Sequence, residues 1–207
     1  QKGRFEISGA HLWSAETPYL YTCKVSRGGE ELTEKFGIRT LEWSGKTGLL
    51  VNGRETLLRG GCIHHDNGVL GACSFADAEE RRVRILKNQG FNALRMAHNP
   101  ASRSLLDACD RIGMYVMDEA FDGWYIPKEY HDYSRDFLSD YKSVLAAMVE
   151  NDYNHPSVIM YSLGNEVTET ASKRGIELCA EMRDTVHSLD GTRPVTCGIN
   201  VLLDVYA

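Results

Sequence analysis

The sequence predicts an α/β protein: about five strands of a (β/α)8 barrel, preceded by the last strands of a β domain. Three observations carry this. Two alternating apolar runs meet at Gly28-Gly29, which reads as a hairpin. After residue 56, short apolar strands alternate with amphipathic helices, so the strands are parallel and joined by right-handed crossovers. Each of these strands ends in polar or titratable residues, as barrel strands do where their C-terminal ends share one mouth. An open doubly wound sheet would hold its ligand at a switch point, usually on a glycine-rich phosphate loop. Neither GxGxxG nor GxxxxGK[ST] occurs.

The elements follow in order. Tyr19, Tyr21, Cys23 and Val25 alternate with polar neighbours, and so do Leu32, Glu34, Phe36 and Ile38 after the glycine turn. About three strands in 42 residues cannot close a sandwich, so residues 1–42 read as the end of a β domain. A second hairpin is expected from Leu49–Val51, Asn52-Gly53 and Thr56–Leu58, Asn-Gly being a strong turn signal. Residues 43–207 then read as the N-terminal portion of a barrel. Its expected strands are Leu57–Ile63, Ala93–Ala97, Tyr115–Met117, Val158–Leu163 and Val195–Ile199. Ser74 and Asp77 suggest a capping box opening a helix that runs to Gly90. Leu105, Leu106, Cys109 and Ile112 form the stripe of the next helix, stopped by Gly113. Phe137, Tyr141, Val144, Leu145 and Met148 mark a third, ending near Asn154 before Pro156. Ile176, Cys179, Met182, Val186 and Leu189 mark a fourth, ended by Asp190-Gly191.

Composition sets limits on function. The 207 residues are 43% hydrophobic and 25% charged, which suits one sizeable core. The net charge of -6 leaves no basic excess for a nucleic-acid partner. No apolar run approaches the roughly 18 residues of a membrane span. No signal-peptide pattern opens the chain, and the compartment stays open between cytoplasmic and periplasmic or secreted. The six cysteines form no CxxC pair, so buried free thiols are expected, with a mild preference for a reducing compartment. A homo-oligomer is compatible with this composition.

Chemistry gathers at the strand ends. Glu166 follows an apolar strand and could act as a carboxylic acid toward a glycosidic oxygen, its pKa raised by partial burial. It could equally cap a helix or pair with a lysine. Asn165 can hydrogen-bond a sugar hydroxyl. His64, His65 and His98 supply a plausible zinc count, but without HxH or HExxH spacing sugar binding fits them better. Asp118 and Glu119 could supply a second carboxylate, or anchor Arg95 from the neighbouring strand. Phe121, Trp124 and Tyr125 could stack on sugar faces, or pack over the barrel rim.

Taken together, these residues resemble glycoside hydrolase family 2, the β-galactosidase and β-glucuronidase family, over essentially the whole chain. Pro18-Tyr19-Leu20-Tyr21 and Phe36-Gly37-Ile38-Arg39 are similar to the close of its immunoglobulin-like sandwich. Val51-Asn52-Gly53, Leu58-Arg59-Gly60, Asn92–Arg95 with His98-Asn99-Pro100, Cys109–Gly113 and Val116–Glu119 resemble the first barrel units. Asn154–Ile159 with Ser162-Leu163-Gly164-Asn165-Glu166 is the most specific signature. The resemblance implies retaining hydrolysis of a terminal β-linked sugar. Glu166 would be the acid/base, Asn165 would lie near the 2-hydroxyl, and His64 and His98 would line the sugar subsite. Asp118, Glu119 and Trp124 complete the expected substrate-binding set.

Four departures qualify this. Tyr161 stands where tryptophan is usual, on the strand interior. Asn151-Asp152-Tyr153 replaces Arg-Asp-Arg or Arg-Asp-Lys. The run Ala120-Phe121-Asp122-Gly123-Trp124 lacks the Glu-x-His that supplies magnesium ligands in some family β-galactosidases, so no metal cofactor is expected. The family's nucleophile, a glutamate near the seventh strand, is expected beyond residue 207, and the 207-residue chain alone is expected to be inactive. Two other functions remain open: a carbohydrate-binding protein on an inactive glycosidase scaffold, and a metal-dependent hydrolase using the three histidines.

Overall fold

The computed structural model of the protein describes residues 6–203. β1 (Tyr21–Arg27) and β2 (Glu30–Phe36) pair antiparallel, from Tyr21 opposite Phe36 to Arg27 opposite Glu30. Gly28 and Gly29 both take positive φ, 60° and 89°, as a two-residue hairpin turn that follows the strand twist requires. The second hairpin carries one strand more than expected. β3 (Leu41–Ser44) pairs with β4 (Gly48–Val51), which turns at Asn52-Gly53 into the short β5 (Arg54–Glu55).

Five parallel strands follow: β6 (Gly60–His64), β7 (Ala93–Ala97), β8 (Tyr115–Glu119), β9 (Val158–Ser162) and β10 (Val195–Thr196). Their spatial order is the sequence order, β6 to β10, as in one side of a barrel. Two bounds differ from expectation. Leu57 and Leu58 precede β6 rather than opening it. β10 spans two residues, because the ladder is handed on at Gly198: its N–H bonds Gly164 O at 2.8 Å, and its C=O accepts Val167 N at 2.9 Å. Ile199 and Val167 form an isolated bridge there.

The helices are α1 (Ala76–Asn88), α2 (Arg103–Ile112), α3 (Ser134–Asp152) and α4 (Lys173–Leu189). The capping box expected before α1 does not form. Phe75 is the N-cap with no side-chain bond, and Ser74 Oγ instead bonds Ser102 Oγ at 2.6 Å. Ser102 caps α2 by accepting from Leu105 N, and Gly113 ends that helix at φ 84°. The main core lies between sheet and helices, with Leu94, Met96, Val116, Leu105 and Leu145 all buried.

A second cluster of Trp13, Ala15, Val51, Ala93, Tyr115 and Ile159 fills the base of the sheet. Here the N-terminal segment is locked to the barrel strands. Trp13 Nε1 donates to Asp110 O at 2.9 Å, and the Arg39 guanidinium donates to Pro156 O and Val158 O. Gly37 passes so close to Pro156 that a Cβ would sit 2.6 Å from its ring. The six cysteines are free, but only Cys109 is fully buried. Cys62 and Cys73 are exposed, contrary to expectation, Cys62 lying on the edge strand β6. No helix of the described residues is long and apolar enough to cross a membrane.

Candidate active site

Strand alternation decides which side chains reach the mouth. On β7, β8 and β9 the residues Arg95, Glu119 and Ser162 share the inner face, and Glu119 is their hub. Its Oε2 accepts from Arg95 Nε at 3.0 Å, Arg95 Nη2 at 2.8 Å and Ser162 Oγ at 2.6 Å. Its Oε1 meets His98 Nδ1 at 2.5 Å. Glu119 is fully buried, with both oxygens committed, so it anchors Arg95 and presents nothing to a ligand. Asp118, one residue earlier, points the opposite way. Its carboxyl accepts Ala101 N at 2.9 Å and faces Asp152 behind the sheet, where burial and then the neighbouring acid push its pKa up. Asp118 therefore cannot touch a ligand at the mouth, which corrects the sequence reading.

Trp124 is corrected likewise. It is 0% exposed, stacks on Phe137 and donates from Nε1 to Leu163 O at 2.9 Å. The ring lies under the Gly164 turn, where a Cβ would come within 2.9 Å of its Nε1. Its role is packing beneath the turn, not stacking on a sugar. Tyr161 is also buried, its hydroxyl donating to Asp190 Oδ2 at 3.2 Å on the helix side of the sheet rather than the interior.

Above Trp124 the chain turns through Asn165 and Glu166. Glu166 is exposed and sits at φ 48°, a conformation that costs a non-glycine residue about 1 kcal/mol or more and needs support around it. Asn165 supplies that support. Its Oδ1 accepts Arg95 Nη2 at 3.0 Å, and its Nδ2 donates to Asp122 Oδ1 at 3.0 Å. Its N–H donates to Asp122 O at 3.1 Å, and its C=O accepts Lys128 Nζ at 2.8 Å. Burial alone would raise the Asp122 pKa; the hydrogen bonds from Lys128 and Asn165 outweigh it and hold the carboxyl low.

His98 is half-buried beside the exposed His64, their rings edge to face with centroids 5.2 Å apart. His64 closes β6 and His98 follows β7, both at the C-terminal ends of their strands. His65 turns aside, its Nε2 3.4 Å from Asn99 O. The three histidines do not converge as ligands. Among the described residues the group that could do so is Asp107, Asp110 and His155, at the base and already joined by a 2.6 Å bond between His155 Nδ1 and Asp110 Oδ2.

A cavity of about 300 Å³ opens at the mouth beside Arg95, Ser162, Asn165, Glu166 and Asn200. Glu166 is the one carboxyl among its lining residues, and Asn200 Nδ2 lies 3.4 Å from Glu166 O. Ser162, Asp122 and Lys128 carry contacts that sequence reasoning did not assign. The departure in the Ala120–Trp124 run was the available signal for Asp122. Lys128 had none, being 37 residues from the Asn165 it touches.

Comparison with known proteins places these features. The model of the glycosyl hydrolases family 2 TIM barrel domain matches residues 45–206, and a further glycosyl hydrolases family 2 model matches residues 1–39. The Beta-galactosidase BoGH2A of Bacteroides ovatus is 41% identical, covering 94% of this chain and 27% of that protein. A putative beta-glucuronidase of Formosa agariphila is 34% identical, over 94% of this chain and 19% of its own length. A crystal structure of a family 2 member from Bacteroides cellulosilyticus superposes with a TM-score of 0.88 at 46% identity, covering 94% of this chain and 26% of that one. The chain thus spans about a fifth to a quarter of the length of these relatives.

Proposed function

We propose, on the premise that this chain belongs to glycosyl hydrolases family 2, that it is part of an enzyme hydrolysing terminal β-linked glycosides with retention, a β-galactoside being the first substrate to test. The five parallel strands are then one side of the TIM barrel, and the β-rich N-terminal residues belong to the adjoining sandwich. The observation that carries the reading is Glu166: an exposed carboxyl at the C-terminal end of β9, beside a cavity, on a turn whose every neighbour is tied down.

Glu166 donates its proton to the leaving oxygen while a carboxylate attacks the anomeric carbon. It then takes a proton from the water that releases the sugar. Retention needs the two carboxyl groups about 5–5.5 Å apart. Asp118 faces away and Glu119 is sealed under Arg95, His98 and Ser162, so neither serves as nucleophile. That group is assigned to a part of the complete protein outside these 207 residues. The second hydrogen of Asn165 Nδ2 is available to a sugar hydroxyl, with His64 and His98 flanking the subsite. No tightly bound divalent metal is assigned a role, since the Ala120–Trp124 run beside the turn carries no Glu-x-His.

The test is Glu166→Gln in the complete enzyme, assayed on β-galactosides and β-glucuronides. Turnover of alkyl glycosides should fall by about 10²–10⁴-fold, and that of nitrophenyl glycosides, whose leaving group needs little protonation, by much less. Equal losses on both classes would remove Glu166 as the acid. Sugar binding without turnover in the unmutated protein would make it a carbohydrate-binding relative.

A further inference from the structure

Lys128 lies on the loop between β8 and α3 and pairs with Asp122 of the same loop. Its three ammonium protons all go to oxygen: Asp122 O at 2.9 Å, Asp122 Oδ1 at 2.9 Å and Asn165 O at 2.8 Å. A lysine has three donors and no more, so the group is saturated. The acceptor that matters is Asn165 O. That carbonyl belongs to the peptide that supplies Glu166 its nitrogen, so fixing the oxygen fixes the plane from which the positive φ of Glu166 departs. Two further features show the loop arranged around this contact. Lys128 N donates to Asp132 Oδ2 at 2.7 Å, which sets where the side chain begins. Its stem then crosses Gly123 so closely that a Cβ there would stand 3.3 Å from Lys128 Cε.

We propose that Lys128 is a positioning residue for the reaction, a built-in cation that holds the Asn165–Glu166 turn and so aims the Glu166 carboxyl at the leaving oxygen. The inference rests on the reading of Glu166 as acid/base. Lys128 touches Asn165 and Asp122 and acts through them. Asp122 is the second half of the device: its carboxylate binds the ammonium and the Asn165 amide at once, so loss of the cation also loosens the side chain next to the sugar. A misplacement of about 1 Å can lower a rate by around a hundredfold, and the effect belongs in turnover more than in binding.

The experiment uses the complete enzyme with an alkyl β-galactoside and a nitrophenyl β-galactoside. Lys128→Met should lower kcat for the alkyl glycoside about 10- to 100-fold, with KM changed less than about threefold and a smaller loss on the nitrophenyl glycoside. Lys128→Ala should regain activity with millimolar methylammonium but not with methanol, and Lys128→Arg should keep part of it. If Lys128→Met does not fold, Gly123→Ala, which crowds the lysine stem by a few tenths of an ångström, should give a smaller loss that is still selective for the alkyl substrate. Parent-like kcat in Lys128→Met overturns the proposal. So does a loss equal on both substrates and unmoved by methylammonium. An unmutated enzyme that cleaves no β-glycoside sinks the acid/base reading itself, a result separate from either.

Discussion

Glu119 ties three neighbouring residues of the mouth together, although it is buried from outside. Its buried carboxylate pairs with the part-exposed Arg95 and receives Ser162 and His98. Removing one partner of such a pair leaves the other poorly compensated, which costs about 3–5 kcal/mol. Glu119→Ala should therefore lower the unfolding free energy from denaturant titration by about that amount, and a loss below about 1 kcal/mol would show that Arg95 finds another partner. The Asp118-Glu119 pair was legible in the sequence as chemically important, and so was the link to Arg95. Which acid faced inward was not legible, because a strand's alternation gives two faces without saying which is the core's. Trp124 was legible as an aromatic at the right place in the chain. Only the close packing of Gly164 and Phe137 shows that the ring is underneath the turn.

At the level of elements, stops were easier to read than starts. Gly113 was legible as the end of α2 because the left-handed residue after a helix is usually glycine. The structure adds a second demand: a Cβ there would lie 2.2 Å from Ala15 O, where the N-terminal segment crosses the helix end. Gly113→Ala should cost more than about 2 kcal/mol, combining left-handed strain of about 1–2 kcal/mol with the displacement of that backbone. Urea unfolding measures it, and a cost under about 0.5 kcal/mol would mean that the segment moves freely. Starts and edges were less legible. The capping box before α1 matched a local pattern, but Ser74 was drawn to Ser102, a partner 28 residues away. β10 reads as a five-residue strand on apolar content alone. The close approach of Gly198 to Gly164 is a tertiary event that redirects its ladder.

For the molecule as a whole, the surface area is informative. The chain exposes 12592 Å², whereas a compact monomer of its 23.2 kDa exposes roughly 9,700 Å². Part of the excess is the concave sheet face, where Gly60, Gly61, Cys62, Met117 and Met160 line an apolar hollow of about 270 Å³. The sheet also has open edges at β6 and β10, with unpaired backbone groups that invite further strands. The 207 residues expressed alone should self-associate and show no glycosidase turnover. Light scattering after size exclusion and an aryl β-glycoside assay check this, and a monodisperse active monomer would contradict it. The fold class was legible at this scale because strand-end polarity is a property of the whole barrel rather than of any one element.

The bonds around Glu119 and Asn165 join three strands and one loop: β7 through Arg95, β8 through Glu119, the end of β9 through Ser162 and Asn165, and the β8–α3 loop through Asp122 and Lys128. In evolutionary terms this interdependence freezes one half of the mouth. A substitution at any member disturbs the bonds of its partners, so a single step there carries a cost at more than one residue. Change is channelled instead to surfaces outside the network, where residues can drift one at a time without disturbing the Asn165–Glu166 turn.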